Sequence, residues 1–420
     1  MNYKKTKIND GIILHTINTE KFKTNLISIF LTSKLTREDI TKKALILTLL
    51  RRGTKTMPTQ EEISKALEDL YGANFDCGID KIGDNHVLKF YVESVNENYL
   101  YKKEETLEKS IQILMEMVFN PLTQNGGFKE EYLAEEKENL KRLIEGKKDN
   151  KAQYSTQRCI EEMYKNKPYG LYKYGYVEDL EKENVKTLYE EYKKLINNCQ
   201  IDIFISGNLE GKDVEKIITS NPLINELQAR NTDYLYNNPN DENNKQEKVV
   251  NEQMQVSQGK LVIGLNTPNK NKPAVTVYNA ILGGGANSKL FQNVREKASL
   301  AYSAGSVYIK TKNKILIKSG IEQINYEKAL NIIKKQLEDM KQGNFEEKNI
   351  QDAKKLIVAS FKSMQDEQDS EISFYFGSEM QQENPDVEQK IKEIESVSKE
   401  EIINCANEIS INTIYFLSSK

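Results

Sequence analysis

A guanidinium and a phenol, Arg295 and Tyr302, are the side chains whose types could do chemistry in the most informative segment of this sequence. They lie in the segment from Leu282 to Ser303, LGGGANSKLFQNVREKASLAYS. Three consecutive glycines, Gly283 to Gly285, break the helix that precedes them, because glycine costs helix stability and permits positive φ. Asn287 or Ser288 can then cap a new helix by accepting a hydrogen bond from an unpaired N–H of its first turn. Leu290, Phe291 and Val294 give that helix an apolar stripe, which leaves Arg295 near its exit and delivers Tyr302 to the start of a strand. Both groups are hydrogen-bond donors, so together they can hold a carbonyl oxygen and stabilise negative charge that develops on it. Taken singly, each feature has a plainer reading: the glycines as a helix terminator, the Arg as a solvated charge or dipole partner, the Tyr as half-buried core. A phosphate loop fits poorly, since its Lys-Ser/Thr is missing.

No other catalytic set competes. The chain has two histidines, His15 and His86, whose separation gives no metal-ligand spacing, and they read as exposed or locally hydrogen-bonded imidazoles. Cys77, Cys159, Cys199 and Cys405 form no C-x-x-C pair and read as buried apolar fillers. There is no G-x-S-x-G, no Cys beside a plausible His and no G-x-G-x-x-G after a clear strand. The 60 Lys+Arg nearly cancel the 63 Asp+Glu, so no global field favours nucleic acid or anionic lipid. No apolar run of signal-peptide length opens the sequence and none approaches the ~20 residues of a membrane span, so the expectation is a cytoplasmic protein.

The elements that must position Arg295 and Tyr302 repeat along the chain. At 420 residues and 38% hydrophobic, the sequence has material for two cores of ordinary size. The polar, Asn-rich stretch from Asn231 to Gln253 reads as an exposed linker, which predicts domains over 1–230 and 254–420 with a linker over 231–253. A protease is expected to nick first between Tyr236 and Glu247. Each half shows the same order. A strand (Asn25 to Leu31; Lys260 to Leu265) leads to an apolar helix (Ala44 to Leu50; Val275 to Leu282) and an amphipathic helix (Gln60 to Leu70; Ser288 to Lys297). A strand pair (Asp76 to Ser94; Ser303 to Gly320), a long helix (Tyr101 to Phe119; Tyr326 to Lys341) and a late strand (Ile201 to Ile205; Thr413 to Leu417) follow. The predicted fold class is α+β: two similar domains, each a mostly antiparallel sheet backed by helices.

The run Gly-Gly-Gly-x-x-Ser-x-Leu-Phe-x-x-Val-Arg-Glu-Lys-x-x-Leu-Ala-Tyr-Ser resembles the second-domain signature of the pitrilysin (M16) family of peptidases, whose Arg and Tyr bind and orient the substrate peptide. The resemblance therefore makes Arg295 and Tyr302 substrate-binding residues and implies a half-clamshell of two M16-type domains. Catalytic members carry an inverted zinc motif, H-x-x-E-H, on a first-domain helix before a Gly-Thr turn: two His on one helical face chelate the metal and the Glu activates its water. Here Ala44-Leu-Ile-Leu-Thr-Leu-Leu-Arg-Arg-Gly-Thr54 is the corresponding stretch, and Leu70-Tyr71-Gly72-Ala73 follows the next helix as the family would have it. Counting back from Gly53-Thr54 puts Ala44, Leu47 and Thr48 where His, Glu and His would stand. The helix from Phe128 to Glu145 corresponds to the segment that supplies a third, glutamate ligand, and its acids read as a solvated ion-pair face.

The resemblance thus implies no catalytic residue, no metal ligand and no cofactor in this chain. It implies the zinc-free subunit of a heterodimeric metallopeptidase, with zinc in a partner chain that carries H-x-x-E-H, and a peptide as the other partner. The alternative is a non-catalytic peptide-binding or scaffold protein that keeps the fold; an autonomous enzyme with a new site has little support. The chain also resembles a branch of the family associated with modification of elongation factor P.

Overall fold

The computed structural model describes residues 3–102, 104–236 and 247–419. The expected protease site between Tyr236 and Glu247 therefore spans residues outside the described ones. The chain packs into two compact units. The first is Met1–Glu145 with Leu171–Asn238 and Asp366–Asn384; the second is Gly146–Gly170 with Pro239–Gln365 and Pro385–Lys420.

The sheet of the first unit holds β1 (Tyr3–Asn9), β2 (Ile12–Asn18), β3 (Thr24–Lys34), β4 (Asn74–Ile82), β5 (Asn85–Val95) and β6 (Gln200–Gly207) in the order β1-β2-β6-β3-β5-β4. Only β2 and β6 run parallel. The central strands β3 and β6 read as nearly unbroken apolar runs because both their faces are covered. On one face Ile27, Ile29, Leu31, Leu88 and Ile203 meet Leu45, Ile46, Leu49 and Leu50 of the helix Ile40–Leu50. On the other, Phe30 and Phe204 meet Ile372, Tyr375 and Phe376 of the helix Gln368–Met380, with the Phe30 and Phe376 rings 4.5 Å apart. This covering helix comes from the second half of the sequence. Gln368 fastens it, with Nε2 donating to Ser206 O at 3.1 Å and Oε1 accepting from the Thr24 hydroxyl at 2.8 Å.

The second unit repeats the design. Strands β7 (Lys248–Gln253), β8 (Gly259–Asn266), β9 (Ala301–Ile309), β10 (Lys314–Ile321) and β11 (Ser410–Ser418) are ordered β7-β11-β8-β10-β9, and only β7 and β11 run parallel. With β1 set aside, each sheet lays its strands out as first, fifth, second, fourth, third in chain order. The helix Lys272–Gly283 packs on one face, with Val275, Val277 and Leu282 in the core that includes Leu261, Ile263 and Ile317. The other face takes the helix Lys151–Met163 from the first half, with Tyr154 and Cys159 against Val262, Leu316 and Tyr415. A Cβ on Gly264 would stand 2.2 Å from Met163 Sδ, so a bare glycine lets that helix seat.

Both sheets are mostly antiparallel and helix-backed, as the α+β reading has it. The region read as linker is different at both ends. Residues 248–253 are strand β7, an edge strand whose polar sequence carries little apolar signal because only every second side chain is half-covered. Leu235 is fully buried, and its carbonyl accepts from Asn85 Nδ2 at 3.0 Å. Among the described residues no helix is long and apolar enough to cross a membrane.

Candidate functional site

The helix Ile40–Leu50 offers no chemistry at the positions where a zinc motif would lie. Ala44 and Leu47 are buried in the apolar core, and the Thr48 hydroxyl donates to Leu45 O at 2.9 Å. A methyl, an isobutyl group and a back-bonded hydroxyl supply no zinc ligand set and no base. Beyond the helix end, Arg52 takes up the acids of the helix Glu130–Gly146: its guanidinium donates to Glu136 Oε1 at 3.2 Å, pairs with Glu135, and lies 4.7 Å from the centre of the Tyr132 ring. Glu136 is buried, so the reading of these acids as a wholly solvated face fails at this residue. The Arg-Arg before Gly53 was the available signal. Among the described residues no group of three or more His, Cys, Asp or Glu side chains gathers as a metal site. The residues present do not fit the family's zinc.

The histidines are neither exposed nor locally bonded. His15 is fully buried, with Nε2 2.9 Å from Asp202 Oδ1 and Nδ1 2.8 Å from the Tyr3 hydroxyl, which also donates to Glu379 Oε1 at 2.8 Å. This chain of polar groups ties the covering helix Gln368–Met380 to the sheet. His86 is also fully buried; its Nε2 meets Lys173 O at 2.8 Å and its Nδ1 has no partner among the described residues. Burial, reinforced by the charge of Lys43, pushes its pKa down to about 3. Burial pushes the thiols of Cys159, Cys199 and Cys405 up to about 12 and that of Cys77 up to about 11, so none is a ready thiolate.

Arg295 and Tyr302 sit on two backbone irregularities in the second unit. Gly283 to Gly285 act by close approach and not by positive φ: a Cβ on Gly283 would fall 2.4 Å from Ser306 N, so glycine lets the helix Lys272–Gly283 lie directly on β9. Ser288 Oγ then accepts from Phe291 N–H at 3.5 Å, and Leu290 and Val294 are buried as the stripe predicts. From Phe291 to Lys297 the helix widens to π geometry, a rare form that recurs at functional sites. Arg295 is on this stretch, its guanidinium 4.5 Å from the centre of the Phe291 ring and its Nε 3.6 Å from Glu296 Oε1. Ser299 takes the left-handed conformation at φ 52°, Leu300 N–H donates to Val294 O, and the chain turns into β9.

Opposite Ile321 and Gly320 stand Ala301 and Ser303, so Tyr302 is the additional residue of a bulge. A bulge re-aims a side chain out of the regular alternation. Tyr302 is 80% exposed, and its hydroxyl has no partner among the described residues. No hydrogen bond joins it to Arg295; the two are neighbours through consecutive elements. Strand β9 has β10 on one side and, among the described residues, no strand on the other.

Known proteins agree with this architecture. Residues 182–357 match the Peptidase M16 inactive domain. The chain is 36% identical to the probable inactive metalloprotease YmfF of Bacillus subtilis over 97% of its own length and 96% of that protein's. Among solved structures, a conserved protein from Enterococcus faecalis superposes with a TM-score of 0.88 at 28% identity, covering 100% of this chain and 99% of that one. A peptidase M16 inactive domain from Pseudomonas fluorescens reaches 0.81 with the same coverage of 100% and 99%; at 16% identity it speaks for the fold alone. Two repeated helix-backed sheets, a zinc-motif helix packed with apolar residues and near full-length likeness to an inactive homologue place this chain in the M16 peptidase family.

Proposed function

We propose that this chain is the zinc-free subunit of a two-chain M16 metallopeptidase, in which Arg295 and Tyr302 bind and orient a peptide for a partner that holds the metal through H-x-x-E-H. The observation that carries the reading is a contrast within one molecule. The helix where zinc ligands would stand is filled with ordinary core, whereas Arg295 and Tyr302 are held on a π turn and a bulge, with the phenol exposed and its hydroxyl unpartnered among the described residues. A guanidinium and a phenol presented in this way suit a peptide carbonyl, and donors of this kind contribute most when charge develops on it. The likeness to the Bacillus subtilis protein, a probable inactive metalloprotease, supports a chain without hydrolytic activity of its own. The pair would work in the cytoplasm. The likeness to the branch associated with elongation factor P modification supplies a context for the peptide and not its identity.

The test is kinetic. In the heterodimer, Arg295→Ala and Tyr302→Phe should leave folding and pairing intact and lower kcat/KM on the order of 10²-fold, the loss expected for a single transition-state donor. An effect confined to KM assigns the pair to ground-state binding. Full hydrolysis by both variants would favour the scaffold alternative, a protein that keeps the fold and has no part in the chemistry.

A further inference from the structure

The face of the second sheet beside Tyr302 carries two lysines that, among the described residues, no carboxylate pairs. The register puts Ser303, Gly320 and Lys260 in one row across β9, β10 and β8, and Gly305, Lys318 and Val262 in the next. These rows share the face that the helix Lys151–Met163 covers at Val262, Leu316 and Tyr415. Towards β9 the cover ends, since Ser303 and Val307 are exposed. Lys260 and Lys318 stand there as diagonal cross-strand neighbours, roughly 7–8 Å apart at the backbone, a spacing from which two long arms can converge on one carboxylate. Among the described residues Lys260 Nζ donates only to Gln258 Oε1, at 2.9 Å, and Lys318 has no hydrogen bond or ion pair. In the same rows Ser303 is exposed, and Gln258 Oε1 and Lys260 Nζ lie over Gly320, 2.7 Å and 3.4 Å from where a Cβ would stand. Burial draws both ammonium groups below the ordinary lysine range, and no carboxylate offsets it. An ammonium group partly withdrawn from water costs free energy unless an anion joins it.

We infer that this corner of the sheet is a carboxylate-reading subsite, and that the peptide bound at Arg295 and Tyr302 is an acidic one lying along the open edge of β9. The inference rests on the peptide-binding reading and adds the substrate class. An extended peptide on an edge strand places alternate side chains on the same face as Ser303 and Gly305, one strand away from Lys318. A Glu or Asp at such a position meets the ammonium pair, while the backbone stays near Tyr302.

The experiment uses the full chain and two fluorescein-labelled extended peptides that differ only in carrying glutamate or glutamine at alternate positions, read by anisotropy. The glutamate peptide should bind about tenfold more tightly, as one charge-assisted contact implies. Lys260→Gln with Lys318→Gln should erase that preference and leave the glutamine peptide's affinity unchanged, the Lys→Arg pair should retain it, and Arg295→Ala should weaken both peptides alike. Equal affinities in the unaltered chain, or a preference that survives the Lys→Gln pair, would overturn the subsite and leave the peptide-binding reading in place. Failure of both peptides to bind the unaltered chain would overturn that reading and the subsite with it.

Discussion

Two residue-scale contrasts decide what this chain can do chemically. Ala44 and Leu47 have no donor atom for a metal, the Thr48 hydroxyl is turned to Leu45 O, and Glu136 on the neighbouring helix is committed to Arg52. The purified chain is therefore expected to carry no stoichiometric zinc by elemental analysis, and one tightly held zinc per chain would contradict the assignment. His86 makes a separate prediction. Its folded pKa is depressed to about 3, whereas in the unfolded chain it protonates near 6.5, so below pH 6.5 the unfolded state binds the additional proton. The stability His86 contributes is complete above pH 6.5 and is lost as the pH falls, at up to about 1.4 kcal/mol per pH unit for this one group. Urea unfolding between pH 6.5 and 5, above most carboxylate titrations, should show that slope, and His86→Gln should flatten it. An unchanged slope would mean that His86 is protonated in the fold.

Elements explain both what the sequence discloses and what it conceals. The glycine run, the Leu290–Val294 stripe and the strands flanking Arg295 and Tyr302 are short-range patterns, and each was readable before any fold was known. The bulge at Tyr302 and the π turn at Arg295 were not, because no residue pattern marks either: the bulge follows from the register in which β9 pairs with β10. Strand β7 was read as linker since an edge strand needs few apolar residues. Buried acids and imidazoles escaped for a similar reason: Glu136, His15 and His86 look like surface groups until their partners are known. The covering helices are the largest such omission. Nothing in Gln368–Met380 signals that Ile372, Tyr375 and Phe376 belong to the first sheet. Phe376→Ala should nevertheless cost about 3–5 kcal/mol in equilibrium unfolding, the price of an aromatic removed from a closed core. A loss under 1 kcal/mol, by contrast, would mean that this helix does not seal the sheet.

At the scale of the molecule, each compact unit depends on a helix from the other half of the sequence, so the two halves are a repeat in topology without being independent in composition. The repeat was legible from the order of elements, since both halves obey one pattern of strand and helix; the exchange was not, since it rests on contacts separated by hundreds of residues. Such a scaffold has one half stripped of metal chemistry and the other presenting donors, and under the proposed function it is incomplete without a second chain. The most direct test mixes this chain with an M16 chain that carries H-x-x-E-H and follows peptide hydrolysis as kcat/KM for each chain alone and for the pair. The account predicts no turnover by this chain, little by the zinc chain, and an increase on the order of 10²-fold or more when the two combine. If the zinc chain alone hydrolyses the peptide as fast as the mixture, this chain contributes nothing to the reaction and the central claim is wrong.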